Sequence, residues 1–99
     1  MNLLVDIGNT SIKFSSFVDK NLKKISQIRY SKKDLKLVTL FFKNKLKTHT
    51  KIYICSVVSE VDKVIIKNLK SHRNRIFFIN KMKLSSLVPV SYTHLRAHE

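Results

Sequence analysis

The sequence predicts a mixed α/β domain with the element order β-β-β-α-β-α-β. Three observations carry this reading. Apolar or alternating runs open the chain and are separated only by short turn formers, so the first strands join as an antiparallel meander. Two later segments repeat apolar residues every three or four positions, which is the helical period. A further strand follows the second helix, and a helix between two strands implies a right-handed parallel crossover. Together these give a mixed five-stranded sheet with helices packed on it.

Leu3, Leu4 and Val5 with Ile7 read as a buried first strand, closed by the turn formers Gly8 and Asn9. Residues 11–18 form the second strand, with Ile12, Phe14 and Ser16 on one face and Phe17 and Val18 thickening its end. Asp19, Lys20 and Asn21 make a polar turn. Residues 22–30 are the third strand, in which Ile25 and Ile28 sit among polar residues and break strict alternation. Ser31 and Asp34 have capping-box spacing and are expected to start the first helix. Its apolar stripe is Leu35, Val38, Phe42 and Leu46, and Lys43, Lys45 and Lys47 suit the negative end of its dipole.

Residues 52–55, with Val57 and Val58, read as a fourth, central strand. Ser59 and Asp62 repeat the capping spacing and open a second helix striped by Val61, Ile65 and Leu69, with Val64 and Ile66 flanking. Residues 75–79 are the fifth strand. Residues 81–90 read as loop, and residues 91–99 show no clear period.

Composition narrows the function classes. The chain has 99 residues, enough for one small domain or part of a larger protein. Hydrophobic residues make up 43%, so a fully disordered chain is not expected. One cysteine, Cys55, cannot form an internal disulfide, which fits a reducing cytoplasm. No apolar run approaches the roughly 20 residues of a membrane span. No basic region precedes the first apolar stretch, so a secretory signal is not expected.

The net charge of +14 invites a nucleic-acid reading. The charge is mostly lysine, spread along the chain, with only Arg29, Arg73, Arg75 and Arg96 to supply forked contacts. A solvated lysine surface therefore explains the charge better than a nucleic-acid site.

Residues 6–13, Asp6-Ile7-Gly8-Asn9-Thr10-Ser11-Ile12-Lys13, carry the chemistry. Gly8 allows positive φ and a close approach of ligand to main chain. Such a turn can aim successive N–H groups at an anion, and Asn9 and Thr10 add side-chain donors. Asp6, ending the buried strand, could hold a hydrated Mg²⁺ that bridges phosphates. Lys13 adds a compensating charge. A plain hairpin explains the same residue types, since Gly-Asn with neighbouring Asp and Thr is common in turns for local reasons.

Residues 2–14 resemble the N-terminus of type III pantothenate kinases, which open with an apolar strand and D-x-G-N-T, often followed by an I-K pair. Residues 54–61, Ile-Cys-Ser-Val-Val-Ser-Glu-Val, resemble the family's fourth strand and the start of the helix after it. The resemblance covers residues 1 to about 90. It implies a ribonuclease H-like/actin-like fold of the acetate kinase, sugar kinase, Hsp70 and actin superfamily. It also implies ATP binding in residues 6–13, with Asp6 near Mg²⁺ and the γ-phosphate, and transfer of that phosphate to pantothenate for coenzyme A synthesis. A monovalent cation, K⁺ or NH₄⁺, and a homodimer are expected of the full-length enzyme.

The family's catalytic base lies in a later G-x-D-R motif. That motif is missing, for Gly8 is the one glycine of the chain. No catalytic residue is therefore assigned here. The expected organisation is an N-terminal kinase domain in residues 1–90 and a non-native tail in residues 91–99, whose SYTHLRAHE resembles translated adapter sequence. Tyr92 lies near the place of the family's substrate tyrosine, in a context that does not match. By itself such a fragment is expected to be inactive. The competing readings are a non-enzymatic basic nucleic-acid-binding module and another phosphotransferase of the same superfamily.

Other candidates are weaker. His94 and His98 stand four apart, but no third metal ligand is near in sequence. Cys55 reads as a small buried apolar residue. His49 and His72 read as solvated. Ser56 and Ser59 lack a His-Asp pair, which rejects a serine hydrolase.

Overall fold

The computed structural model describes residues 1–19 and 21–79. Strands β1 (Asn2–Ile7) and β2 (Ser11–Val18) form a hairpin in which Ile7 pairs with Ile12 and Asn2 with Phe17. The short strands β3 (Asn21–Leu22) and β4 (Ser26–Arg29) both pair antiparallel with β2. Helix α1 (Lys36–Leu46) leads to β5 (Ile52–Ser56), which lies parallel beside β1. Helix α2 (Ser59–Asn68) and a single 3₁₀ turn (Lys70–His72) lead to β6 (Ile76–Phe78), parallel beside β5. The strand order is β3-β2-β1-β5-β6, with β4 also beside β2. This is a mixed sheet with the expected element order, except that the third strand is two.

That split has a local cause. Phe14 pairs with Ser26 and Phe17 with Leu22, so residues 23–25 face only Ser15 and Ser16. One extra residue makes a bulge. Ser15 Oγ donates to Lys23 O at 2.7 Å, and Lys23 N donates to Ser16 O at 2.8 Å. Ile25 lies in the bulge and is exposed, whereas Ile28 pairs with Ile12 and is half-buried.

Both helices lie on one face of the sheet. Leu3, Val5 and Ile7 of β1 join Val38, Phe42 and Leu46 of α1 and Val61 and Ile65 of α2, with Leu69 just beyond it, in one buried cluster. Both predicted stripes are thus the packed faces. The opposite face carries Leu4, Phe17, Cys55 and Ile79 in a second cluster, which confirms Cys55 as a buried residue.

The helix starts differ from the capping expectation. Ser31 forms a turn instead: its Oγ accepts Lys33 N at 3.1 Å and its carbonyl accepts Asp34 N at 3.0 Å. These bonds use the donors a cap would need, and α1 starts after Leu35 with no side-chain cap. Ser59 is the first residue of α2, not its cap. Val58 occupies the cap position in extended backbone, again without a side-chain bond. Val57 and Val58 also lie outside β5. Ser56 Oγ accepts Val58 N at 3.0 Å and turns the chain out of the sheet, leaving Val57 61% exposed. The fifth strand is one residue shorter at each end than expected, though Ile52 N bonds Arg75 O and Ile79 N bonds Ile54 O at its flanks.

His49 is 7% exposed, which corrects the solvated reading. Its Nδ1 lies 3.1 Å from Lys45 O and 2.9 Å from Thr48 Oγ1, and its Nε2 lies 2.7 Å from Ser16 Oγ. A carbonyl only accepts, so Nδ1 carries the proton and Nε2 accepts from Ser16. Burial lowers the imidazole pKa from its usual 6.5, the positive charges of Lys45 and the N-terminal amine add to the effect, and the Lys45 carbonyl partly offsets it.

As pH falls below 6.5 the unfolded chain takes up a proton that the folded chain resists. The stability tied to neutral His49 is therefore complete above that value and is lost as the pH falls through it. Melting temperature between pH 8 and pH 5 should fall on the acid side, and His49→Gln should flatten the decline. An unchanged slope in the variant would remove His49 from this role. His72 ends the 3₁₀ turn and is half-buried.

Candidate phosphate-binding turn

The candidate site stands at the carboxyl ends of two parallel strands. Ile7 and Ser56 are partners at the ends of β1 and β5, and Val57 N donates to Ile7 O at 3.2 Å. The β1–β2 turn and the start of α2 therefore lie side by side. In α/β sheets this strand end is where ligands bind.

Within residues 6–13 the parts divide by face. Alternation along β1 puts Leu3, Val5 and Ile7 toward the helices and Asp6 toward the other face. Asp6 is 4% exposed, with Lys13 as its cross-strand partner on β2 and Cys55 as its neighbour on β5. The side chains of Ile7 and Ile12 are buried in the helix-side core and anchor the turn to it. Asn9 and Thr10 form the exposed tip, and Gly8 and Ser11 flank it half-buried, joined by Gly8 N to Ser11 O at 2.9 Å.

Gly8 does not take positive φ, which corrects one reason given for it. A Cβ built there would meet Ser11 O at 3.5 Å, an ordinary contact. The fold itself would accept alanine. What glycine keeps open is the space in front of the main chain.

Sequence reasoning missed the residues that brace this turn. Tyr30 N donates to Thr10 O at 3.2 Å, and the Tyr30 hydroxyl donates to Gly8 O at 2.5 Å. Lys32 Nζ donates to Asn9 Oδ1 at 3.1 Å. The sequence signal was slight: a tyrosine ending the third strand, about twenty positions from the turn. The Tyr30 pKa is raised, first by burial and then by the negative charges of Glu60 and Asp62. Those two acids occupy the first turn of α2 and satisfy its dipole. Their negative charge makes the start of α2 a poor seat for an anion.

The family model described as type III pantothenate kinase matches residues 2–97. The chain belongs to the type III pantothenate kinase family. No curated protein matches the sequence. Membership accounts for the D-x-G-N-T turn and for the mixed sheet, and it makes a relationship to ATP-dependent kinases the setting for the site.

Among the described residues no group of three or more His, Cys, Asp or Glu could hold a metal ion, and no helix is long and apolar enough to cross a membrane. Tyr92, His94, His98 and the division at residue 90 lie outside the described residues.

Proposed function

We propose that this chain forms the nucleotide-binding part of an enzyme that transfers the γ-phosphate of ATP to pantothenate in coenzyme A synthesis. The observation that carries the proposal is the position of residues 6–13. In a chain of a kinase family, they turn at the carboxyl ends of parallel strands, where exposed Asn9 and Thr10 can meet phosphate oxygens. Asn9, Thr10 and Ser11 offer donors, Gly8 leaves room, Lys13 supplies positive charge, and Ile7 and Ile12 hold the turn to the core.

Mg²⁺ prefers hard oxygen ligands and keeps several waters, so a carboxylate at a strand end suits an indirect contact from Asp6. When bound, the ion would neutralise charge on the phosphates. Phosphoryl transfer is mostly positioning and charge stabilisation, and these residues supply the donor half of it.

The acceptor half is not carried here. The catalytic base and the K⁺ or NH₄⁺ ion are assigned to the part of the family that contains G-x-D-R, which this sequence lacks. The 99-residue chain is accordingly proposed to be inactive by itself. The full-length parent is proposed to be a cytoplasmic homodimer with ATP and pantothenate as its partners and no role for nucleic acid.

The single glycine makes the test direct, because [¹⁵N]glycine labelling reports the amide of Gly8 alone. Mg·ATP should shift that resonance saturably, and pantothenate-dependent ATP turnover should be negligible. A resonance unmoved by millimolar Mg·ATP would remove the phosphate reading. Measurable turnover would overturn the proposed inactivity. Duplex DNA binding that falls steeply with salt would favour the basic binding module.

A further inference from the structure

We propose that Tyr30 is the positioning residue of the phosphate turn, holding its backbone so that the Asn9 amide faces the ligand. This rests on the reading of residues 6–13 as a phosphate site. Tyr30 grips the turn at two points, through its hydroxyl on Gly8 O and its own N–H on Thr10 O. In a trans peptide the carbonyl and the next N–H point in opposite directions. Pinning Gly8 O therefore also directs the Asn9 N–H.

The direction follows from packing. The Tyr30 ring lies against the helix-side core, so Gly8 O is drawn toward that side. The Asn9 N–H is then turned the other way, toward the face that carries Asp6. Among the described residues no hydrogen bond uses the Asn9 N–H, so it is left for a ligand. Among the described residues the Tyr30 hydroxyl makes the one hydrogen bond to Gly8 O, so its loss loosens the Gly8–Asn9 peptide, where Gly8 has no side chain and Asn9 is exposed. Lys32 on Asn9 Oδ1 steadies the side chain of the same residue.

Burial and the nearby charges of Glu60 and Asp62 oppose ionisation of Tyr30, so its hydroxyl remains a donor across the neutral range. These carboxylates act on Tyr30 from the first turn of α2. The brace thus joins three segments that are distant in sequence.

The test uses Tyr30→Phe in the [¹⁵N]glycine-labelled chain. The variant keeps the ring and removes only the hydroxyl. The Gly8 resonance should shift before any ligand is added, and the apparent Kd for Mg·ATP should rise about tenfold, the scale of one lost hydrogen bond. The melting temperature should fall by only a few degrees. Equal Mg·ATP affinity in the two proteins would overturn the positioning role while leaving the proposed function standing. A wild-type chain that ignores Mg·ATP would remove the proposed function, and the positioning role with it. A variant that fails to fold would also overturn the inference, since a hydroxyl that only aims a surface turn cannot hold the core together.

Discussion

Asp6→Asn should leave a folded chain that no longer responds normally to Mg·ATP. The substitution conserves shape and removes a negative charge. Asp6 is buried at the end of β1, between Lys13 on one neighbouring strand and Cys55 on the other, so its position is set by the sheet. In the proposed role its charge acts on the hydrated Mg²⁺ that accompanies the phosphates. An amide cannot replace that charge.

In an active enzyme bearing this turn, kcat should fall by about a hundredfold or more, the usual scale for losing one preorganised electrostatic contact. In the isolated chain the Mg·ATP-dependent shift of Gly8 should weaken sharply while cooperative melting is kept. Near-normal turnover with normal Mg·ATP binding would remove Asp6 from the site.

Phe42→Ala should have the largest effect on stability. Phe42 is fully buried and heads the largest side chains of the core. It lies midway along α1 and packs in the cluster that joins both helices to β1 and β5. Its ring also meets Phe41 edge-on at 5.1 Å between centroids. Truncating a buried phenylalanine costs about 3–5 kcal/mol, from lost apolar burial and from the cavity left behind. A domain of this size has only about 5–15 kcal/mol in total, so the variant should be close to unfolding at 37 °C.

Leu40→Ala is the matched control on the same helix. Leu40 is 55% exposed and should change stability by less than about 0.5 kcal/mol. Urea melts of the two variants check this. A loss below about 1 kcal/mol at Phe42 would mean that α1 does not pack on the sheet through its predicted stripe.

Several features were legible because their signals are local. The stripe Val38, Phe42 and Leu46 and the stripe Val61, Ile65 and Leu69 face the core as the period of 3.6 requires. The parallel crossover from β5 through α2 to β6 follows from a helix between two strands. Cys55 is buried because it lies in an apolar central strand. The D-x-G-N-T turn was visible as a motif, and the family match supports that relationship over residues 2–97.

The misreadings share a different cause. Ser31 and Asp34 have cap spacing, yet Ser31 spends its oxygen atoms on a preceding turn. Spacing cannot show which of two local hydrogen-bond patterns wins. The bulge opposite Ser15 and Ser16 depends on pairing between strands, so a single strand pattern could show only broken alternation. His49 follows the C-terminal end of α1 in a polar stretch and looked solvated. It is buried because Ser16, far away in sequence, meets its Nε2.

The sequence by itself determined the strand and helix periods, the apolar faces that must be covered, and the chemistry offered by residues 6–13. These follow from neighbours within a turn or two of one another, and backbone geometry links spacing to face. Only the tertiary structure decided that Tyr30 and Lys32 brace the turn, that Asp6 lies on the face away from the helices, and that Gly8 keeps negative φ. Each of these depends on which segments the sheet brings together, and contacts across twenty or more residues leave no period in the chain.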